Sequence, residues 1–256
     1  MWHYIEKGQG RPLVLLHGIG MSSKAWAPVM PLLARERRVI AFDTAGFGQS
    51  PTLPAGVAPT THNLVRQLAR ELRTLGINEP VDIAGNSLGG WMALEAARLG
   101  LARSVVAISP AGLWHRPSAR AKYIFFGLRQ IAGKAPGLVK RSLRYALLRE
   151  LFMAVPLSTG GRDIPAELAF ELTMDFVNAK GFVDTFHHAD RFSGGKTIQI
   201  PLTIAFGTHD WLLLKPEQRR DELPDHVRWM EPAGWGHVPM WKAPDAVAEL
   251  ILQGIA

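Results

Sequence analysis

The sequence predicts an α/β fold, with a mainly parallel central sheet flanked by helices and one long helical insertion. Three observations carry this. Short apolar runs of β type recur along the chain with helical segments between them, the pattern of a parallel sheet covered on both faces. One of these runs breaks directly into a helix across glycines, at Gly85-Asn86-Ser87-Leu88-Gly89. The alternation then stops between Gly112 and Lys196, where a mostly helical pattern is broken by Pro136, Gly137, Pro156, Gly160, Gly161 and Pro165. A stretch that long is not a simple loop. Residues 1–112 and 197–256 are therefore assigned to the core, and 113–196 to a helical cap folded over the carboxyl edge of the sheet.

Taken in order, the segment before Leu13 has room for one strand, so the sheet is expected to lack a further strand at that edge. Leu13-Val14-Leu15-Leu16 reads as a buried strand and Arg38-Val39-Ile40-Ala41-Phe42 as the next. Thr61 to Leu75 repeats leucine at helical spacing (Leu64, Leu68, Leu72, Leu75) and ends at Gly76. Val81-Asp82-Ile83-Ala84 is a strand, followed after Ser87 by a helix from Trp91 to Arg98. Further strands are read at Ser104–Ile108, Leu202–Phe206 and Val227–Met230, and a last helix from about Pro244 to Ile251.

A chain of 256 residues, 47% hydrophobic and 20% charged, can bury a large core and is composed like a soluble globular domain. Its apolar runs are too short to span a bilayer. The start, Met1 to Lys7, lacks the basic and apolar stretches of a secretory signal, so a cytoplasmic location is expected. With no cysteine, disulfides, thiolate metal sites and a cysteine nucleophile are excluded, though the compartment is not fixed. The net charge of +7 is uneven. Arg116, Arg120, Lys122, Arg129, Lys134, Lys140, Arg141, Arg144 and Arg149 fall in a window, 113–149, that contains no acid. That window reads as a solvated helical face, as attraction for an anionic substrate, or as peripheral membrane contact through a basic amphipathic helix. No nucleic-acid-binding motif accompanies the charge. The sequence leaves the oligomeric state open.

The strand-to-helix turn at Ser87 can hold one hydroxyl exposed in a strained conformation, with glycines giving the turn its room. A serine nucleophile needs a base, the base an orienting acid, and a developing oxyanion needs donors. Gly234-Trp235-Gly236-His237-Val238-Pro239 puts His237 in a glycine-rich loop between a strand and the last helix. Asp210, in Gly207-Thr208-His209-Asp210, follows the preceding strand, where it could fix the tautomer of His237 or merely cap a helix. The end of the strand before that, Ser109-Pro110-Ala111-Gly112, offers no carboxylate. His17-Gly18-Ile19-Gly20 follows the first core strand, making the backbone amides of Ile19 and Leu88 the candidate oxyanion donors. His17 itself is read as a structural hydrogen-bonding residue, and Asp43 to Ser50 as a scaffolding loop.

Other features are weighed lower. His187-His188 with Asp184 and Asp190 lacks a metal-binding pattern, and adjacent histidines point apart. His209 is too close to Asp210 in sequence to serve as its base. Trp91, Trp114, Tyr123, Phe125 and Phe126 are chiefly packing residues. Trp91, Trp114, Phe125 and Val238 are the candidate lining of an apolar substrate pocket. No phosphate loop or dinucleotide fingerprint follows any strand, so no cofactor or metal is expected.

Together, His17–Gly20, Asp43–Ser50, Gly85–Gly89, Asp210 and Gly236-His237 resemble the Ser-His-Asp members of the α/β-hydrolase superfamily, over nearly the whole chain except the cap. Within it, Gly85–Gly90 and Ser109–Leu113 resemble the capped esterases and the carbon–carbon bond hydrolases of aromatic-ring breakdown. The resemblance implies an α/β-hydrolase fold and a cofactor-independent serine hydrolase acting on carboxylic esters of small to medium, hydrophobic substrates. Carbon–carbon cleavage of an anionic diketo acid, or a slow-turnover ligand-binding protein that keeps the triad, are the alternatives. Lyase or synthase chemistry on this scaffold stays open. Epoxide hydrolases and haloalkane dehalogenases of similar layout use an aspartate where Ser87 stands.

Overall fold

A computed structural model describes residues 1–115, 119–158 and 160–255. The elements are, in chain order, β1 (Tyr4–Lys7), β2 (Pro12–Leu16), α1 (Met30–Leu33), β3 (Arg38–Phe42), α2 (Thr61–Thr74), β4 (Val81–Asn86), α3 (Leu88–Arg98) and β5 (Ala102–Ile108). Then come α4 (Ala119–Lys134), α5 (Pro136–Ser142), α6 (Ala146–Leu157), α7 (Ala166–Asn178), α8 (Phe182–His187), β6 (Leu202–Ala205), β7 (Arg228–Met230) and α9 (Pro244–Gly254). The seven strands form one sheet in the order β1-β3-β2-β4-β5-β6-β7, with β1 antiparallel and every other pairing parallel. One strand does precede Leu13.

Alternation along the buried strands sorts the core into two layers, as the two-residue repeat of a pleated strand requires. Val14 and Leu16 of β2, Ile83 of β4 and Val105 and Ala107 of β5 join the layer under α2 and α3. Leu13, Leu15, Ala84, Val106 and Ile108 face the opposite layer, with Trp26, α1 and α9. The leucine repeat of α2 packs as its spacing predicts, with Leu64, Leu68 and Leu72 buried, and Gly76 leaves the helix with φ +75°. The strand read at Val81–Ala84 runs on to Asn86, and that read at Leu202–Phe206 stops at Ala205, although the Phe206 amide still donates to the Met230 carbonyl.

Helices α4 to α8 lie between β5 and β6. They are tied to the core by polar contacts at α7: Ser22 Oγ donates to Asp175 Oδ2 at 2.8 Å, and Lys24 pairs with Glu171 and Asp175 at 3.1 and 3.3 Å. The Gly181 amide adds a bond to the Gly46 carbonyl at 2.8 Å. Of the basic residues noted above, Arg116 lies outside the described residues, as does the side chain of Arg120. No helix among the described residues is long and apolar enough to cross a membrane.

Candidate active site

Ser87, Asp210, His237 and Ile19 each follow the carboxyl end of a parallel strand (β4, β6, β7 and β2), which brings four distant segments to one rim. Ser87 occupies the turn between β4 and α3 at φ 54° and ψ −116°, a conformation that costs a non-glycine residue on the order of 1–3 kcal/mol. Its own backbone holds it there. The amide donates to Ile108 O at 3.0 Å, and the carbonyl accepts from the Trp91 and Ala111 amides, also at 3.0 Å. The flanking glycines are steric necessities. A Cβ on Gly89 would collide with the Leu16 carbonyl, and one on Gly85 with the Gly89 backbone.

His237 and Asp210 are both buried and face each other, Nδ1 to Oδ2, at 2.9 Å. The other carboxylate oxygen of Asp210 accepts from the Leu212 and Leu213 amides at 2.9 and 3.0 Å. Capping and orienting, weighed as alternatives from sequence, are thus divided between its two oxygens. Burial pushes the Asp210 carboxyl up, but the charge and hydrogen bond of His237 and the Leu213 amide outweigh it, so the group sits below the usual carboxylate range. Asp210 therefore stays ionised and accepts the Nδ1–H of His237. Ser109, where an alternative acid would stand, is buried at φ 47° with its amide bonded to the Ala205 carbonyl.

The sequence carried little sign of one further contact. Asn86 Nδ2 donates to the His237 carbonyl at 2.8 Å and to the Ile108 carbonyl at 3.1 Å, tying the histidine loop to the strand that carries the serine. The only hint was its place beside Ser87 inside a strand, where an asparagine is unfavourable without a partner.

The loop after β2 approaches from the other side. A Cβ on Gly18 would lie 3.3 Å from the Ser87 Cβ. Among the described residues, neither the Ile19 nor the Leu88 amide has an intramolecular acceptor, and both residues line a cavity with Ser87. His17 is fully buried and structural: Nδ1 donates to Gly18 O at 2.7 Å, and Nε2 accepts from the Thr44 amide at 3.0 Å. Burial lowers its pKa, against the opposing pull of the Gly18 carbonyl and of Asp43 and Asp175. Asp43 receives the Ser23 and Gln49 amides and pairs with His3, the scaffold its loop suggested.

Two cavities meet at Ser87, and Ile19, Phe125 and His237 also line both. The larger, about 800 Å³, lies against α4, α6 and α7, with Leu128, Phe152, Met153, Leu172, Phe176 and Val238 in its wall. The second, about 710 Å³, is bounded by Leu88, Trp91, Trp114, Thr185, Phe186 and Leu213. All four candidate pocket residues therefore line one or the other. Among the described residues no Lys, Arg, Asp or Glu lines either cavity, and His188 is the one ionisable group besides His237. The described cations of the 113–149 window line neither cavity. Arg129 donates to the Val177 and Ala179 carbonyls, Arg149 to those of Leu143 and Arg162, and Lys140 pairs with Glu167, while Lys122, Lys134, Arg141 and Arg144 are exposed. His187 stacks on Phe126, His188 bonds the Asp184 carbonyl, and His209, exposed, contacts Thr208.

A serine on a strained strand-to-helix turn, beneath helices inserted in a parallel sheet, is the arrangement of one large class of enzymes. The chain matches the model of the alpha/beta hydrolase family over residues 13–250 and belongs to that family. It is 36% identical over 115 residues to the 2-hydroxy-6-oxo-6-(2'-aminophenyl)hexa-2,4-dienoic acid hydrolase of Metapseudomonas resinovorans, a stretch covering 43% of this chain and 39% of that protein. To the epoxide hydrolase EphH of Mycobacterium tuberculosis it is 32% identical over 197 residues, covering 73% of this chain and 91% of that one. Among solved structures, the enol-lactonase of Burkholderia xenovorans LB400 is similar in fold, with a TM-score of 0.73 at 20% identity over 99% of this chain and 95% of that chain.

Proposed function

We propose that this protein is a serine hydrolase that cleaves uncharged, hydrophobic carboxylic esters through an acyl-enzyme. What supports this reading is that Ser87 and His237, the latter bonded to Asp210, line one cavity whose wall is apolar and bears no Lys or Arg among the described residues. Ser87 Oγ attacks the ester carbonyl as His237 Nε2 takes its proton, and the Ile19 and Leu88 amides hold the oxyanion. His237 then protonates the leaving alkoxide. A water that gives its proton to His237 attacks the acyl-enzyme, releasing the acid and restoring Ser87. The helical segment 113–196 acts as the cap over this chamber, with the acyl chain in the larger cavity.

The test is a nitrophenyl ester series of increasing acyl length. Each buried methylene contributes about 0.8 kcal/mol, so kcat/KM should rise roughly fourfold per methylene until the cavity is full. Ser87→Ala should lower turnover by about 10⁶. A flat length profile, or a Ser87→Ala variant that keeps most of its activity, would remove the proposal. The dienoic acid hydrolase among the relatives favours a second reading, carbon–carbon cleavage of an anionic diketo acid by the same serine. Against it, no Lys or Arg among the described residues lines either cavity to hold such a carboxylate. Turnover of ring-fission products faster than of any ester would decide for it.

A further inference from the structure

We propose that the outward face of α4, α5 and α6 docks on the surface of an anionic lipid bilayer. These helices all contact α7 or one another on their inner side, and α4 and α6 line the larger cavity through Phe125, Leu128, Phe152 and Met153. The exposed residues of this stretch are unusually apolar for a surface. Tyr123, Ile131, Leu138, Tyr145, Leu147 and Leu151 are 61 to 77% exposed. Large exposed side chains scattered singly are ordinary, but six within one short helical segment are not.

Four of the seven cations whose side chains are described in this stretch form no ion pair among the described residues. Arg129, Lys140 and Arg149 are engaged within the fold, as described above. Lys122, Lys134, Arg141 and Arg144 are exposed and form no ion pair among the described residues. No acid occurs from residue 113 to 149, and Glu150 is turned to the Arg162 amide at 2.7 Å. Leucines and tyrosines interspersed with unpaired cations suit a surface that is at once anionic and penetrable by apolar side chains, which is the headgroup layer of an acidic membrane. A polyanion alone would leave the apolar groups in water, and a second copy would set cation against cation. The proposal goes beyond the ester-hydrolase reading and holds whatever bond is cleaved.

Co-sedimentation of the full chain with phosphatidylglycerol–phosphatidylcholine vesicles, and with pure phosphatidylcholine vesicles, tests it. Each cation near such a surface is worth about fivefold in partitioning, so the K134Q/R141Q/R144Q variant should bind the acidic vesicles roughly a hundredfold more weakly. The Leu138→Ser/Leu147→Ser variant should lose about tenfold per leucine. Added salt should reduce wild-type binding. Thermal melting followed by circular dichroism verifies that each variant is folded. Equal partitioning onto acidic and neutral vesicles, or wild-type binding by the folded triple variant, overturns the proposal. So does a dimer in sedimentation equilibrium that the double leucine variant dissociates, which would give the face to a second copy of the chain.

Discussion

Asp210 uses each carboxylate oxygen for a different purpose, one on two backbone amides and one on the imidazole of His237. Replacing it with asparagine keeps the size but removes the charge that fixes the Nδ1–H tautomer. Asp210→Asn is expected to lower kcat by about 10⁴ with KM little changed, measured on the ester that the length series favours. His17 carries a different prediction. Both of its nitrogens are committed, one giving to a carbonyl and the other accepting an amide proton, so a second ring proton would face the Thr44 N–H. The unfolded chain takes up that proton near histidine's usual 6.5, the folded protein only at lower pH. The stability that neutral His17 contributes is therefore complete above 6.5 and is lost as the pH falls from there through the lowered folded value. Urea denaturation at a series of pH values should show this slope, and a His17→Asn variant should lack that part of it.

At the scale of elements, the turn from β4 to α3 is held by steric exclusion as much as by hydrogen bonds. The Gly89 backbone lies so close to Leu16 at the end of β2 that a methyl group displaces one of two packed segments. Gly89→Ala is expected to destabilise the fold by about 1–3 kcal/mol, read as a lower urea midpoint with unchanged m-value, and to impair turnover because the displaced segment leads into Ile19. This turn was legible in the sequence because its signals are local: an apolar run, closely spaced glycines and a helix in immediate succession. The strands were legible for the same reason, since buried parallel strands are nearly continuous apolar runs. Strand ends were read less well. Asn86 is polar, yet it completes β4 because its side chain finds the Ile108 and His237 carbonyls. That pairing spans 151 residues, and no local pattern encodes it.

Across the whole molecule, the polar attachment of the helices between β5 and β6 to the core includes α7, where Asp175 takes both Ser22 and Lys24. Asp175→Ala should release this attachment without touching the sheet. Hydrogen exchange should then quicken at the α7 amides while the β2, β4 and β5 amides keep their protection; uniform quickening would mean that α7 and the sheet open together.

By itself the sequence determined the layer order, the strand-to-helix serine, the glycine loops after β2 and β7 and the excess of cations in the helical segment. These rest on periodicity, turn chemistry and composition, which act over a few residues. Tertiary structure alone decided that both Asp210 oxygens are used, that Asn86 ties His237 to the serine strand, and that two cavities lined by no Lys, Arg, Asp or Glu among the described residues meet at Ser87. It also decided that Lys122 and Lys134 are exposed on α4, whose Phe125 and Leu128 line the larger cavity, and that Arg141 and Arg144 are exposed nearby in the chain. Each of these is a meeting of segments far apart in the chain, fixed by packing geometry and by the pairing of buried polar groups, and neither is written in neighbouring residues.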